Sequence, residues 1–218
     1  MAEIESADYH DFVFKDGRLV GEFEQMYSKS SVAPWHQDED GARLDCKIAL
    51  GIAEFALPGH GKVLEAGCGL GYFADLLAKR LPQARIFGCD ISPTAVHNAG
   101  SMFPGIGFSV ADLKKPMQAA EPYDLVVIRG CFWYLFDAID MVVSNLTALV
   151  APGGRLLVAQ NFPPLDRDFI GKDILPCPEA LVGLFAPAFK TLVDCRFADR
   201  TANGGNDDWV VFLSEKIP

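Results

Sequence analysis

Apolar positions along this chain fall into short strand-like runs separated by stretches of helical spacing. KVLEAG (62–67) and ARIFGCD (84–90) have the length of strands. Each is followed by a helical pattern, FADLLAKRL (73–81), stopped by Pro82, and a segment opened by Ser92-Pro93 and running to about Ser101. IGFSVAD (106–112) predicts a third strand. YDLVVIRG (123–130), apolar almost without interruption, predicts a fourth that is covered on both faces. AIDMVVSNLTALV (138–150) predicts a helix ended by a Pro152-Gly153-Gly154 turn, and GRLLVAQNF (154–162) predicts the fifth strand. A Pro-rich segment (162–178) and a short helix near 178–185 follow. Two further strands, FKTLVDCRFA and DDWVVFLSEK, are joined by the turn-rich DRTANGGN. Upstream, RLDCKIALGIAEFAL (43–57) has helical spacing and ends at Pro58-Gly59, whereas residues 1–42 are polar with isolated aromatics and predict irregular structure.

Repeated βα units predict an α/β fold, a Rossmann-like doubly wound sheet of seven strands in three α/β/α layers. The sheet is mostly parallel and carries an antiparallel C-terminal hairpin at one edge. A length of 218 residues suits one good-sized domain, and a half-hydrophobic composition supplies its core. The net charge of −10 repels nucleic-acid phosphates and anionic lipid, so neither nucleic acid nor membrane is an expected partner. The acidic N-terminus has no apolar core of a secretory signal, and no apolar run has the length of a membrane span. Six scattered cysteines, without a C-x-x-C pair or metal-like spacing with histidine, predict a reducing cytoplasm and no metal. Cys89, Cys131 and Cys195 lie in apolar runs and are expected to fill core.

The candidate chemistry sits in VLEAGCGLGYF. Gly67, Gly69 and Gly71 form G-x-G-x-G at a strand–helix turn, where backbone can approach a ligand without interference from Cβ. A dinucleotide fingerprint requires a third glycine where this chain has Tyr72. Glu65, two residues before the first glycine, would repel a pyrophosphate but attract a cationic ligand.

Glu65 and this glycine spacing resemble motif I of the class I S-adenosylmethionine-dependent methyltransferases. Four further motifs are similar in order: FGCDISP, Asp112-Leu113, YDLVVIRGCFWYL and LVAPGGRLLVAQNF. The resemblance covers roughly residues 43–218 and implies S-adenosyl-L-methionine as cofactor, with S-adenosyl-L-homocysteine as product. It implies that Glu65, Gly67, Cys68 (through its amide), Gly69 and Gly71 hold the cofactor's amino-acid end. Asp90 would bind the ribose hydroxyls, Asp112 the adenine amino group with the neighbouring Leu113 amide on the ring, and Ile91 and Arg129 join the cofactor-binding set. One departure stands out: the family often has glutamate where this chain has Gly130.

Residues 1–42 are expected to form a cap over the domain of residues 43–218. Pro34-Trp35 followed by His36, and Trp133-Tyr134-Leu135, are similar to the nodulation protein S-like subgroup, which N-methylates amino-sugar residues. On that resemblance Trp35 and His36 face cofactor or acceptor, and Arg43 pairs with the methionine carboxylate. The alternative for Trp35 is a plug in the core, and for residues 132–134 simple packing. The reaction is an in-line displacement at an activated methyl, so alignment supplies most of the catalysis. His36 is the first candidate base and Tyr134 the second, with Asn161 or Asp137 orienting a small-molecule acceptor, bound for N- or O-methylation. A monomer or homodimer is expected. A non-catalytic binder of the same cofactor and a nicotinamide-dependent oxidoreductase remain the rival functions.

Overall fold

The structure is a computed structural model that describes residues 9–117, 121–200 and 207–218. Among these residues seven strands form one sheet: β3 (Gly61–Ala66), β4 (Ala84–Asp90), β5 (Gly107–Val110), β6 (Tyr123–Arg129), β7 (Val150–Phe162), β8 (Phe189–Ala198) and β9 (Asp208–Lys216). Their order is β5-β4-β3-β6-β7-β9-β8, with β9 antiparallel to both its neighbours and the other pairings parallel. The chain runs outward from β3 to β5, then returns to β6 on the other side. The switch point is therefore between β3 and β6, where a cleft opens above the strand ends.

Both faces are covered, which explains the unbroken apolar runs. Val126, Ile128, Leu156 and Val158 pack with Leu146 and Leu181 under helices α5 (Ile139–Leu149) and α6 (Pro178–Phe185). Their neighbours Leu125, Val127, Leu157 and Ala159 point the other way, onto Ala49, Ala53, Phe73 and Leu77 of α2 (Leu44–Ala56) and α3 (Tyr72–Arg80). Each large side chain so buried stabilises the fold by about 1.5–3 kcal/mol. Helix α4 (Pro93–Met102) begins as its sequence predicts, with the Ser92 hydroxyl accepting from the Ala95 amide at 3.1 Å.

Two expectations are corrected. Pro152-Gly153-Gly154 is not a clean turn before the fifth strand: β7 already pairs at Val150 with Tyr123, then bulges so that Arg155 meets Leu125. Nor is the N-terminal segment irregular. It holds a short hairpin, β1 (Phe14–Lys15) with β2 (Arg18–Leu19), helix α1 (Phe23–Lys29) and a 3-10 stretch over Pro34–Ala42. Phe23, Met26 and Tyr27 make the i, i+3, i+4 stripe of α1, which is too short for the period to stand out among polar neighbours. Residues 1–8 of the expected cap, and the turn predicted at 199–206 from residue 201 onward, lie outside the described residues.

Candidate active site

A cavity of about 690 Å³ occupies the cleft, within the range of small-molecule and cofactor sites. Of the residues singled out in the sequence, Trp35, His36, Arg43, Glu65, Gly67, Cys68, Asp90, Ile91, Asp112, Leu113, Arg129 and Tyr134 all line it. Gly69 and Gly71 lie one layer back, against Gln37 and Tyr27 and against Phe108 respectively.

Gly67 leaves β3 at φ 75°, and a Cβ built there would lie 2.5 Å from Cys131 Sγ. Gly67→Ala therefore combines a left-handed backbone with a steric clash, together worth about 2–3 kcal/mol. A thermal melt is expected to fall by roughly 5–10 °C, and adding Cys131→Ala should restore only the part due to the clash. Cys131, half-buried, packs against the core from the cavity wall, with burial pushing its thiol up to about 12. Gly130, where the family often has glutamate, also takes a positive φ of 65°, and nothing lies within 4 Å of its Cβ position. The left-handed backbone accounts for the glycine.

Asp90, at the end of β4, is buried. Its Oδ2 accepts from the Gly69 amide and its Oδ1 from the Ser92 amide, both at 2.9 Å. Burial raises its pKa, and those two amides together with that of Ile91 pull it back. The Asp112 carboxylate accepts from the Lys114 amide at 2.9 Å and pairs with Lys115 at 3.0 Å. Ile91 is 41% exposed and forms part of the cavity rim.

Glu65 ends β3, 3% exposed, with Oε2 lacking a partner. Burial drives its pKa up to about 8, against the opposing pull of Arg129 and of the Ala74 amide at the start of α3. Arg129, at the end of β6, donates to Asp40 and, at 3.1 Å, to Asp45, and lies over the Phe73 ring. Arg43 pairs with Asp45 at 3.1 Å and reaches the Trp35 carbonyl at 3.4 Å.

The N-terminal segment is fastened across this cleft. Glu24 of α1 accepts from the Ser92 hydroxyl at 2.5 Å and from the Thr94 hydroxyl at 2.6 Å, while Gln37 Oε1 takes the Leu70 amide at 2.9 Å. Trp35 and His36 both adopt left-handed φ, 54° and 52°, a strain tolerated where the surroundings fix the backbone. Trp35 is half-buried in an aromatic cluster with Phe23, Tyr27 and Tyr134, so it both packs and faces the cavity. His36 is exposed at the mouth. Trp133 packs on Phe162 and Phe169 and donates Nε1 to the Asn161 carbonyl at 3.0 Å. Asn161 donates to Asp207 at 2.6 Å, whereas Asp137 is engaged by Lys114 at 2.6 Å.

Sequence inspection missed several groups, among them Glu24, Gln37, Asp40, Asp45, Asp207, Asn145 and Gln160. Asp40 and Asp207 looked like ordinary surface acids. Asn145 and Gln160 carry a signal, being polar residues inside apolar runs. Asn145 clips the loop after β5, binding the carbonyls of Leu113 and Lys115 and the Met117 amide. Gln160 is fully buried and accepts from the Phe132 amide at 3.0 Å, fixing the turn that presents Trp133 and Tyr134.

Residues 63–154 match the methyltransferase domain family. A trans-aconitate 2-methyltransferase of Methylobacterium nodulans is 32% identical over 107 residues, covering 49% of this chain and 41% of that protein. A malonyl-(acyl-carrier protein) O-methyltransferase of Acetivibrio thermocellus is 27% identical over 156 residues, 60% of this chain and 55% of the relative. The chain thus spans less than two thirds of the length of these relatives. Among solved structures, the N-methyltransferase NodS from Bradyrhizobium japonicum in complex with S-adenosyl-L-homocysteine superposes with a TM-score of 0.68 at 20% identity. That likeness covers 88% of this chain and 97% of NodS, and at such identity it speaks for the fold.

Proposed function

We propose that the chain, whose residues 63–154 match the methyltransferase domain family, transfers a methyl group from S-adenosyl-L-methionine to an amine-bearing small molecule. The observation that carries the cofactor is the floor of the cavity. Glu65, with an unpartnered buried oxygen, and Asp90 stand at the ends of adjacent strands β3 and β4. The two acids suit an ammonium, a sulfonium and a ribose diol, and Glu65, once ionised, would repel a pyrophosphate held at the glycine turn. Asp90 keeps a lone pair on each oxygen for ribose hydroxyls, and Asp112, Leu113 and Ile91 edge the adenine end. Residues 9–42 serve as the cap over the domain of residues 43–218.

The bound sulfonium supplies an activated methyl, so the chain's own task is to align an acceptor behind it and exclude water. The acceptor end lies over β7 and β9, walled by Trp133, Trp209, Asn161 and Asp207. Asp199 and Asp207, joined through the backbone beside Asn161, favour a cationic or amine acceptor over an anionic one. Asn161 fixes the Asp207 carboxylate so that it can orient the amine. His36, exposed at the mouth, would pass the departing proton to solvent, and Tyr134 would help to wall the acceptor.

Release of S-adenosylhomocysteine, measured on matched pairs of amine and hydroxyl acceptors of the same carbon skeleton, tests this. Turnover confined to amines is expected, and turnover of hydroxyls alone would exclude the amine assignment. Asp207→Asn is expected to lower kcat/KM for amines by about 10- to 100-fold, the scale of one charge-assisted hydrogen bond, with unchanged cofactor affinity.

A further inference from the structure

Among the described residues three buried side-chain atoms lack a hydrogen-bond partner: Asp40 Oδ1, Glu65 Oε2 and Arg129 Nε. All three residues line the one cavity. Asp40 belongs to the N-terminal 3-10 stretch, yet only 2% of it is exposed. Its Oδ2 accepts from Arg129, whose other terminal nitrogen donates to Asp45, itself also paired with Arg43. Three carboxylates, Asp40, Asp45 and Glu65, therefore face two guanidinium groups, and both guanidiniums are engaged with Asp45. Once Glu65 is ionised one negative charge is left over, and two oxygens, Asp40 Oδ1 and Glu65 Oε2, have no hydrogen-bond partner. An acceptor stranded in this way is costly unless a ligand brings the missing donor.

We propose that Asp40 is a cofactor-binding residue. With Glu65 it forms a two-carboxylate seat for the α-ammonium group of S-adenosylmethionine, so that the cofactor fastens the 34–42 segment to the end of β3. The assignment rests on the cofactor proposed above. An ammonium has the right chemistry because it carries several N–H donors and can serve both orphaned oxygens at once. A sulfonium offers charge alone. Arg129 lies against the Asp40 side of the pair and lessens the repulsion between the two acids while the seat is empty.

The test is calorimetry on the full chain with S-adenosylhomocysteine and with its deaminated analogue, which lacks only the α-amino group. The wild type should prefer the amino form by ~10-fold or more, as expected for loss of a charge-assisted hydrogen bond. Asp40→Asn should erase most of that preference by weakening S-adenosylhomocysteine while leaving the analogue unchanged. Equal weakening of both ligands, or of neither, overturns the role of Asp40. Failure of the wild type to bind S-adenosylhomocysteine overturns the cofactor reading itself, and this seat with it. Hydrogen exchange on the wild type removes any dependence on the variant's folding. Both ligands should protect the glycine loop, and the amino form alone should protect residues 34–42. Equal protection of that segment by both would overturn the proposal.

Discussion

Glu65→Gln is expected to stabilise the ligand-free protein at pH 8 while weakening its hold on S-adenosylhomocysteine and flattening the pH dependence of that binding. Glu65 is buried, one oxygen has no partner, and its pKa stands near 8 in the fold against 4.5 for the free side chain. The folded chain thus keeps a proton that the unfolded chain releases. Stability therefore falls as pH rises from about 4.5 to about 8, where the native state must either retain that proton or bury a charge. Gln escapes this penalty. Wild type and variant should melt alike near pH 5, and the variant should melt roughly 5–10 °C higher at pH 8, corresponding to a few kcal/mol. Binding carries the opposite sign. A cationic ligand favours the ionised carboxylate, so binding below pH 8 expels the proton, and affinity climbs by up to about tenfold per pH unit between 6 and 8. Titrations in buffers of different ionisation enthalpy count that proton directly. A wild-type slope that survives in Glu65→Gln would assign the proton to another group.

The scaffold was legible because its strands are covered on both faces. Continuous runs such as LVVI in β6 and LLVA in β7 leave few alternatives, and each glycine or acid at a strand end follows from the register of the sheet. The floor of the site came with it, since Glu65 and Asp90 are those strand ends, whereas β5 stops at Val110 and leaves Asp112, expected at its end, two residues into the loop. The cap was less legible, for a physical reason. Its helix has seven residues, and its cohesion comes from long-range contacts that periodicity does not encode: Glu24 on Ser92 and Thr94, Gln37 on Leu70 and Asp40 on Arg129. QDEDG reads as a solvated acidic stretch, and nothing local distinguishes Asp40 from its neighbours. Only the arrival of Arg129 from the sheet makes it a buried group. Asp207 escaped notice likewise, its environment being set by Asn161 on a different strand.

Asp90→Asn is expected to lose at least about 100-fold in cofactor affinity and several degrees in melting temperature, although it changes one atom. Both carboxylate oxygens accept from backbone amides, Gly69 on one side and Ser92 on the other, each at 2.9 Å. An amide side chain has only one oxygen. Whichever way it turns, its NH2 confronts an N–H donor, leaving that backbone group buried and unsatisfied at about 1–3 kcal/mol. If the Gly69 side loses, the glycine loop shifts from the cofactor's amino-acid end. If the Ser92 side loses, the N-terminus of α4 and its link to Glu24 loosen. In either orientation the carboxylate proposed for the ribose hydroxyls has gone. Ser92→Ala separates these effects. It removes the helix cap and one bond to Glu24 but spares Asp90, so it should cost about 1 kcal/mol of stability with cofactor affinity little changed. If Asp90→Asn merely matched Ser92→Ala in both melting and binding, Asp90 would be a clip for the loop and not a ligand to the ribose. A much larger loss of binding than of stability would assign it both tasks.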